Sequence, residues 1–163
     1  MGSFSGAPAG TQTRTFNYNL ATGRLTSATN PETGTVSYTY NGDGSLASKT
    51  DANNQQTTYT YDNYGRLTQA AGYTYSYDTN PFDSNYSSNA AGRLTAVAWI
   101  SSSMGMKFKE MYSYSPAGLL LGKRLRLSTT RIPFNPETSD LQATFTYDNE
   151  GRYLGPQNYP DWP

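Results

Sequence analysis

Polar and apolar residues alternate along most of this chain in short runs, and the runs end at one kind of turn. In Thr58-Tyr59-Thr60-Tyr61 the tyrosines share one face of an extended strand and the threonines share the other. Asp62-Asn63-Tyr64-Gly65 reverses the chain, and Arg66-Leu67 leads out. The same words recur. Phe16-Asn17-Tyr18 leads to Gly23-Arg24-Leu25, and Tyr38-Thr39-Tyr40 leads to Gly44-Ser45-Leu46. Tyr75-Ser76-Tyr77-Asp78 reaches Gly92-Arg93-Leu94 after an insertion, and Tyr112-Ser113-Tyr114 reaches Gly118-Leu119-Leu120. Phe145-Thr146-Tyr147-Asp148 closes the series with Gly151-Arg152-Tyr153. Six copies in 163 residues define a repeat protein, and the repeat unit is a β-hairpin.

Aromatic and β-branched residues at period two suit a half-buried pleated surface. Asn63-Tyr64-Gly65 fits a three-residue loop, in which glycine takes the left-handed conformation without a Cβ clash. That loop sets Asp62 opposite Arg66, Tyr61 opposite Leu67 and Thr60 opposite Thr68, and likewise Asp148 opposite Arg152. Such pairs contribute about 0.2–1 kcal/mol each and together fix the register. The expected fold is all-β, an antiparallel strip of about twelve strands with no significant helix. Residues 1–12 read as a flexible leader without a secretory apolar stretch, 13–155 as the array and 156–163 as an irregular tail. The polar segment 79–91 interrupts the array, while Asn30-Pro31-Glu32-Thr33 and Asn135-Pro136-Glu137-Thr138 are matching turns between hairpins.

In the 105–129 hairpin the regular turn would set Tyr114 opposite Leu120 and place Arg124 and Arg126 on the tyrosine face. A one-residue slip moves every side chain to the other face, so the hydrophobic pattern should decide. A β-bulge near Leu119-Leu120-Leu121 gathers Met106, Phe108, Tyr112, Tyr114, Leu119, Leu121, Leu125 and Leu127 on one face. The register expected from that bulge sets Glu110 opposite Lys123, Lys107 opposite Arg126 and Lys109 opposite Arg124. In 93–100, Val97 and Trp99 are expected on one face, with Leu94, Ala98 and Ile100 on the other.

The repeated words, Tyr59-x-Tyr61-Asp62 and Gly65-Arg66-Leu67 most completely, resemble the YD repeat of Rhs-type and teneurin-type proteins. The resemblance covers roughly residues 13 to 155. Asn41 and Ser115 depart from it at the aspartate, as do Ser45 and Leu119 at the arginine. It implies a hairpin strip that in longer relatives spirals into a hollow β-shell around a polypeptide cargo or presents an adhesive surface. It also implies a fragment of a longer parent, secreted or at the cell surface; this chain's own location is left open.

Composition narrows the chemistry. Twelve basic and twelve acidic residues cancel, which gives no global attraction for nucleic acid or a membrane surface. No apolar run is long enough to span a bilayer as a helix, so membrane insertion is not expected. The absence of histidine and cysteine excludes Ser-His-Asp and thiol catalysis, zinc-thiolate sites and disulfides. Asp62, Asp78 and Asp148 occupy equivalent positions, and a catalytic pair has no reason to recur at every turn. Asp43 with Asn41, and Asp51 with Asn53, are oxygen-rich but lack a calcium-loop pattern and read as turn residues. No enzyme activity, cofactor or metal is expected.

Two candidate binding features remain. Lys107, Lys109, Arg124 and Arg126 would share one sheet face, where like charges opposite one another invite an anion. An acidic glycan or another acidic segment of the parent protein would serve. Phe82 and Tyr86 in the insertion, with Trp99 nearby, supply aromatics of the kind that stack on sugars. The main reading is thus a structural and interaction module whose partners are the rest of its shell or the cargo. A carbohydrate-binding module is the alternative. Unpaired strands near Phe16 and Phe145 would favour self-association. Asn85-Tyr86-Ser87 matches a glycosylation triplet, which alone carries little weight.

Overall fold

The computed structural model describes residues 12–129 and 138–157. The described residues form twelve strands, all pairings antiparallel, with no helix among them. They fall into two compact units that divide between Thr60 and Tyr61. Most of the expected leader, the Asn135-Pro136-Glu137 turn and residues 158–163 lie outside the described residues.

The first unit carries β1 (Thr15–Tyr18), β2 (Leu25–Asn30), β3 (Gly34–Tyr40), β4 (Leu46–Thr50) and all but the last residue of β5 (Gln56–Tyr61), each paired with its sequence neighbour. Along β3 the burial alternates as the sequence pattern requires, with Val36, Tyr38 and Tyr40 half-buried and Thr35, Ser37 and Thr39 exposed. The second unit carries β6 (Leu67–Ala70), β7 (Tyr73–Tyr77), β8 (Leu94–Ser101), β9 (Met106–Tyr114), β10 (Leu120–Thr129), β11 (Thr138–Tyr147) and β12 (Tyr153–Gln157), again in sequence order. Its core is the β8–β9 centre, where Thr95, Ala96 and Met111 are fully buried.

The register differs from the unbroken one that the motif alone suggests. In five hairpins the motif tyrosine faces the leucine position, as expected: Tyr18 with Leu25, Tyr40 with Leu46, Tyr77 with Leu94, Tyr114 with Leu120 and Tyr147 with Tyr153. The next residue on the outgoing strand is then bulged: Thr26, Ala47, Thr95, Leu121 and Leu154 are all skipped in the pairing. Two residues share one position there, which raises the local twist and swaps the faces beyond. Leu94 therefore joins the Tyr77 and Val97 face instead of the Ala98 face, correcting the expectation of strict alternation through Arg93–Ile100.

The bulge expected at Leu119-Leu120-Leu121 is there, with Leu121 as its extra residue, but the pairings expected from it are not. The offset runs the other way, with Lys109 opposite Arg126, Glu110 opposite Leu125, Tyr112 opposite Lys123 and Lys107 opposite Ser128. Both offsets are one residue from the unbroken register and so produce the same faces. Phe108 shares its face with Leu125 and Leu127, and Lys109 shares the other with Arg124 and Arg126. Leu121, expected on the apolar face, is the bulged residue and stays 40% exposed. At the end of the array, Pro156 and Gln157 belong to β12 and not to an irregular tail. The strand bearing Phe145 is paired on both sides, by β10 and β12, so it offers no open edge for association.

Candidate functional site

Two constellations gather the chemistry of this chain. The first joins consecutive copies of the repeat. Asp62 Oδ1 accepts the amides of Tyr64 and Arg66, each at 2.9 Å, while Oδ2 accepts Arg66 Nε at 2.7 Å. This is Asx-turn chemistry with a charge pair added. The guanidinium then reaches into the next copy, donating Nη1 to Asp78 Oδ1 at 3.2 Å and Nη2 to Asp78 Oδ2 at 2.6 Å. It lies over the ring of Tyr77, 4.5 Å from its centroid, and beside Tyr64 at 5.0 Å. Tyr77 Oη returns the connection by donating to the carbonyl of Leu67 at 3.0 Å.

The arrangement recurs. Arg24 stacks over Tyr40, whose hydroxyl donates to Leu25 O at 2.9 Å. Arg93 stacks over Tyr114, whose hydroxyl donates to Leu94 O at 2.7 Å. The turn glycine of the later copy makes room for the arginine: a Cβ on Gly44 would collide with the Arg24 guanidinium. One on Gly118 would stand 2.8 Å from Arg93 Nη2. Where Leu119 replaces the arginine, Tyr147 Oη still donates to Leu120 O at 3.0 Å. Asp148 keeps the two amide bonds, from Glu150 and Arg152, whereas the Arg152 side chain pairs with Glu150 at 2.6 Å. Asp43 and Asp51 likewise accept turn amides.

Charge follows this geometry. The hydrogen bonds that Arg66 donates to Asp78 and then Asp62 hold its guanidinium protonated well above its usual range. Arg66, then the Gly92 amide, lower the Asp78 carboxyl. Burial pushes Asp62 upward, but the Arg66 and Tyr64 bonds together outweigh it and leave the carboxyl lowered.

The second constellation is the insertion, residues 79–91, seated on the β9–β10 face. Asp83 Oδ2 lies 2.8 Å from Arg124 Nη1 and 3.8 Å from Arg126 Nη2. Arg126 also binds Asp140 through two bonds of 2.8 Å, and Arg124 donates to Gln142. Lys109 sits over the Phe82 ring at 4.6 Å and Arg124 over the Tyr86 ring at 4.1 Å. Asp140 holds the Arg126 charge firmly, and Arg126 in turn keeps Asp140 below the usual carboxylate range. The Tyr86 hydroxyl is buried with no hydrogen-bond partner among the described residues, and a Cβ on Gly122 would come within 3.0 Å of it. Further along, the Tyr114 amide donates to Ser88 O at 3.1 Å and Asn89 Nδ2 to Tyr114 O at 2.8 Å. Thr95 Oγ1 donates to Thr79 O at 2.7 Å, fixing the insertion's first residue over the core.

Of the candidate binding residues, Phe82, Tyr86, Lys109, Arg124 and Arg126 thus come together. Lys107 shares their face without joining the cluster. Trp99 lies on the opposite face, stacked on Phe108 at 5.1 Å and tilted against Tyr73 at 5.5 Å. Glu110 and Lys123 do meet, at 2.9 Å, although diagonally across the strands. Sequence reasoning missed Asp83, Asp140 and Gly122. The signal for Asp83 was in view, an acid between the insertion's two aromatics, but no local rule says where a loop lands.

Residues 7–155 match the family model described as Teneurin YD-shell, and the chain belongs to that family. Among solved structures, one titled "Crystal Structure of TcdB2-TccC3-Cdc42" is similar with a TM-score of 0.61 and 21% identity, over 87% of this chain and 7% of that one. Another, "Structure of Photorhabdus luminescens Tc holotoxin pore, Mutation TccC3-D651A", gives a TM-score of 0.49 and 14% identity over 88% of this chain and 9% of the other. No curated protein matches in sequence. The first likeness bears on the fold: the hairpin strip corresponds to a small part of a much longer chain.

Proposed function

We propose that this chain is a wall segment of a YD-repeat shell, a structural module whose surroundings are the rest of that shell and the polypeptide cargo it encloses. One observation carries the reading. At three junctions the residues that define the repeat join one copy to the next: arginine over the following tyrosine, and that tyrosine's hydroxyl to the preceding leucine carbonyl. Motif residues spent on continuity make a wall, and the reading assigns this chain no catalytic step. Membership in the YD-shell family supports it, as does the likeness in fold to a chain from a TcdB2-TccC3 complex. The same family relation supports a secreted or cell-surface parent. The carbohydrate-binding alternative loses support because Arg124 and Arg126 already hold Asp83 and Asp140.

The test is protease protection in a longer YD-repeat polypeptide carrying this segment. A reporter peptide held inside the shell should survive limited digestion, and Arg66→Ala combined with Tyr77→Phe should expose it. Digestion at one rate with and without the clamp would overturn the reading.

A further inference from the structure

The register sets Lys109 opposite Arg126, with Arg124 two residues along on the same face. Like charges directly opposite destabilise a strand pair, and anions relieve that cost: Asp140 meets Arg126 from β11, and Asp83 of the insertion meets Arg124. A segment whose only task was to cover a core would meet it with aliphatic side chains. The insertion instead meets cations with an aspartate and two aromatic rings, at 2.8 Å for Asp83 on Arg124, 4.6 Å for Phe82 under Lys109 and 4.1 Å for Tyr86 under Arg124. Arginines paired with carboxylates and stacked on aromatics are the chemistry of recognition surfaces. The spacing is that of a short linear peptide, Phe82-Asp83-x-x-Tyr86, and Gly122 leaves the hollow into which the Tyr86 ring settles.

We infer that the β9–β10 face is a peptide-binding site for an aromatic–acidic segment, and that the insertion is the ligand this chain supplies to itself. A polypeptide presenting the same Phe-Asp-x-x-Tyr pattern competes for the face when the insertion lifts. Arg124 and Arg126 read the acid, Lys109 and Arg124 read the rings, and Gly122 sets the depth.

The experiment replaces residues 80–90 with a short turn and titrates the shortened chain with a synthetic peptide of residues 79–91. Saturable binding, weakened about tenfold or more in an Asp83→Ala peptide or an Arg126→Ala chain, is the expected result. A folded chain that binds neither peptide, or both equally, overturns the inference. Should the shortened chain fail to fold, Asp83→Ala in the full chain decides by hydrogen exchange. Amides 82–87 should then exchange about tenfold faster while β8–β11 stay protected. Unchanged exchange in the loop, or loss of protection throughout the unit, overturns it equally.

Discussion

The two units of this protein use one repeat and reach different depths of packing. The first keeps close to the motif, and its most buried residues are small, Ala28 at 8% exposure and Ser48 at 7%. The second departs from the motif through the insertion, and there Met111, Thr95 and Ala96 vanish from solvent entirely. A single sheet has two faces, and hairpins alone leave both half-wet. What gives the second unit a core is the segment that breaks the repeat, folded back over β8, β9 and β10. Regularity makes the strip, and the exception makes the interior.

The comparison breaks most sharply at Met111. Truncation to alanine should cost about 3 kcal/mol, seen as a lower denaturant midpoint for the second unit. Ala28→Gly, at a buried position of the first unit, should cost no more than about 1 kcal/mol. Equal costs would show that the insertion adds no real packing.

Gly122→Ala probes the seat of the insertion. Its new Cβ presses on the Tyr86 hydroxyl, and the expected penalty is about 1–2 kcal/mol, with faster exchange at loop amides 82–87. An undisturbed loop would mean the ring has slack.

Tyr77→Phe and Tyr147→Phe sharpen a finer contrast, because one tyrosine lies under an arginine and the other does not. Each loses one hydrogen bond to a backbone carbonyl and should cost about 1 kcal/mol by chemical denaturation. Similar values would separate the hydroxyl bond from the arginine stack. A much larger loss at Tyr77 would show the two act as a unit.

The smallest effect at moderate pH concerns the carboxylates. Asp62, Asp78 and Asp140 all lie below the ordinary value of 3.8 when folded. A lowered folded value means stability that is complete above 3.8 and drains away as pH falls through the folded values. The thermal midpoint should hold from pH 7 to about 5 and decline below about 4, less steeply after Asp140→Asn. A midpoint that rose on acidification would contradict the pairing.

Local order in this protein was legible from one hairpin. The alternation of Thr58-Tyr59-Thr60-Tyr61, the glycine turn and the Asp62–Arg66 pair all depend on neighbours within a few residues, where strand geometry and turn chemistry suffice. The faces of the 105–129 hairpin were legible too, because a hydrophobic stripe resists being turned to water. The direction of the one-residue offset was not, since a shift either way puts the same side chains on the same faces. The recurrence of the bulge in five hairpins also escaped the pattern, for a bulged residue looks like any other in sequence. Tertiary structure alone decided that Arg66 grips the next copy, that Asp83 crosses to Arg124, and that Trp99 turns away from both. Contacts between residues distant in sequence depend on where whole strands and loops come to rest, and no local alternation encodes that.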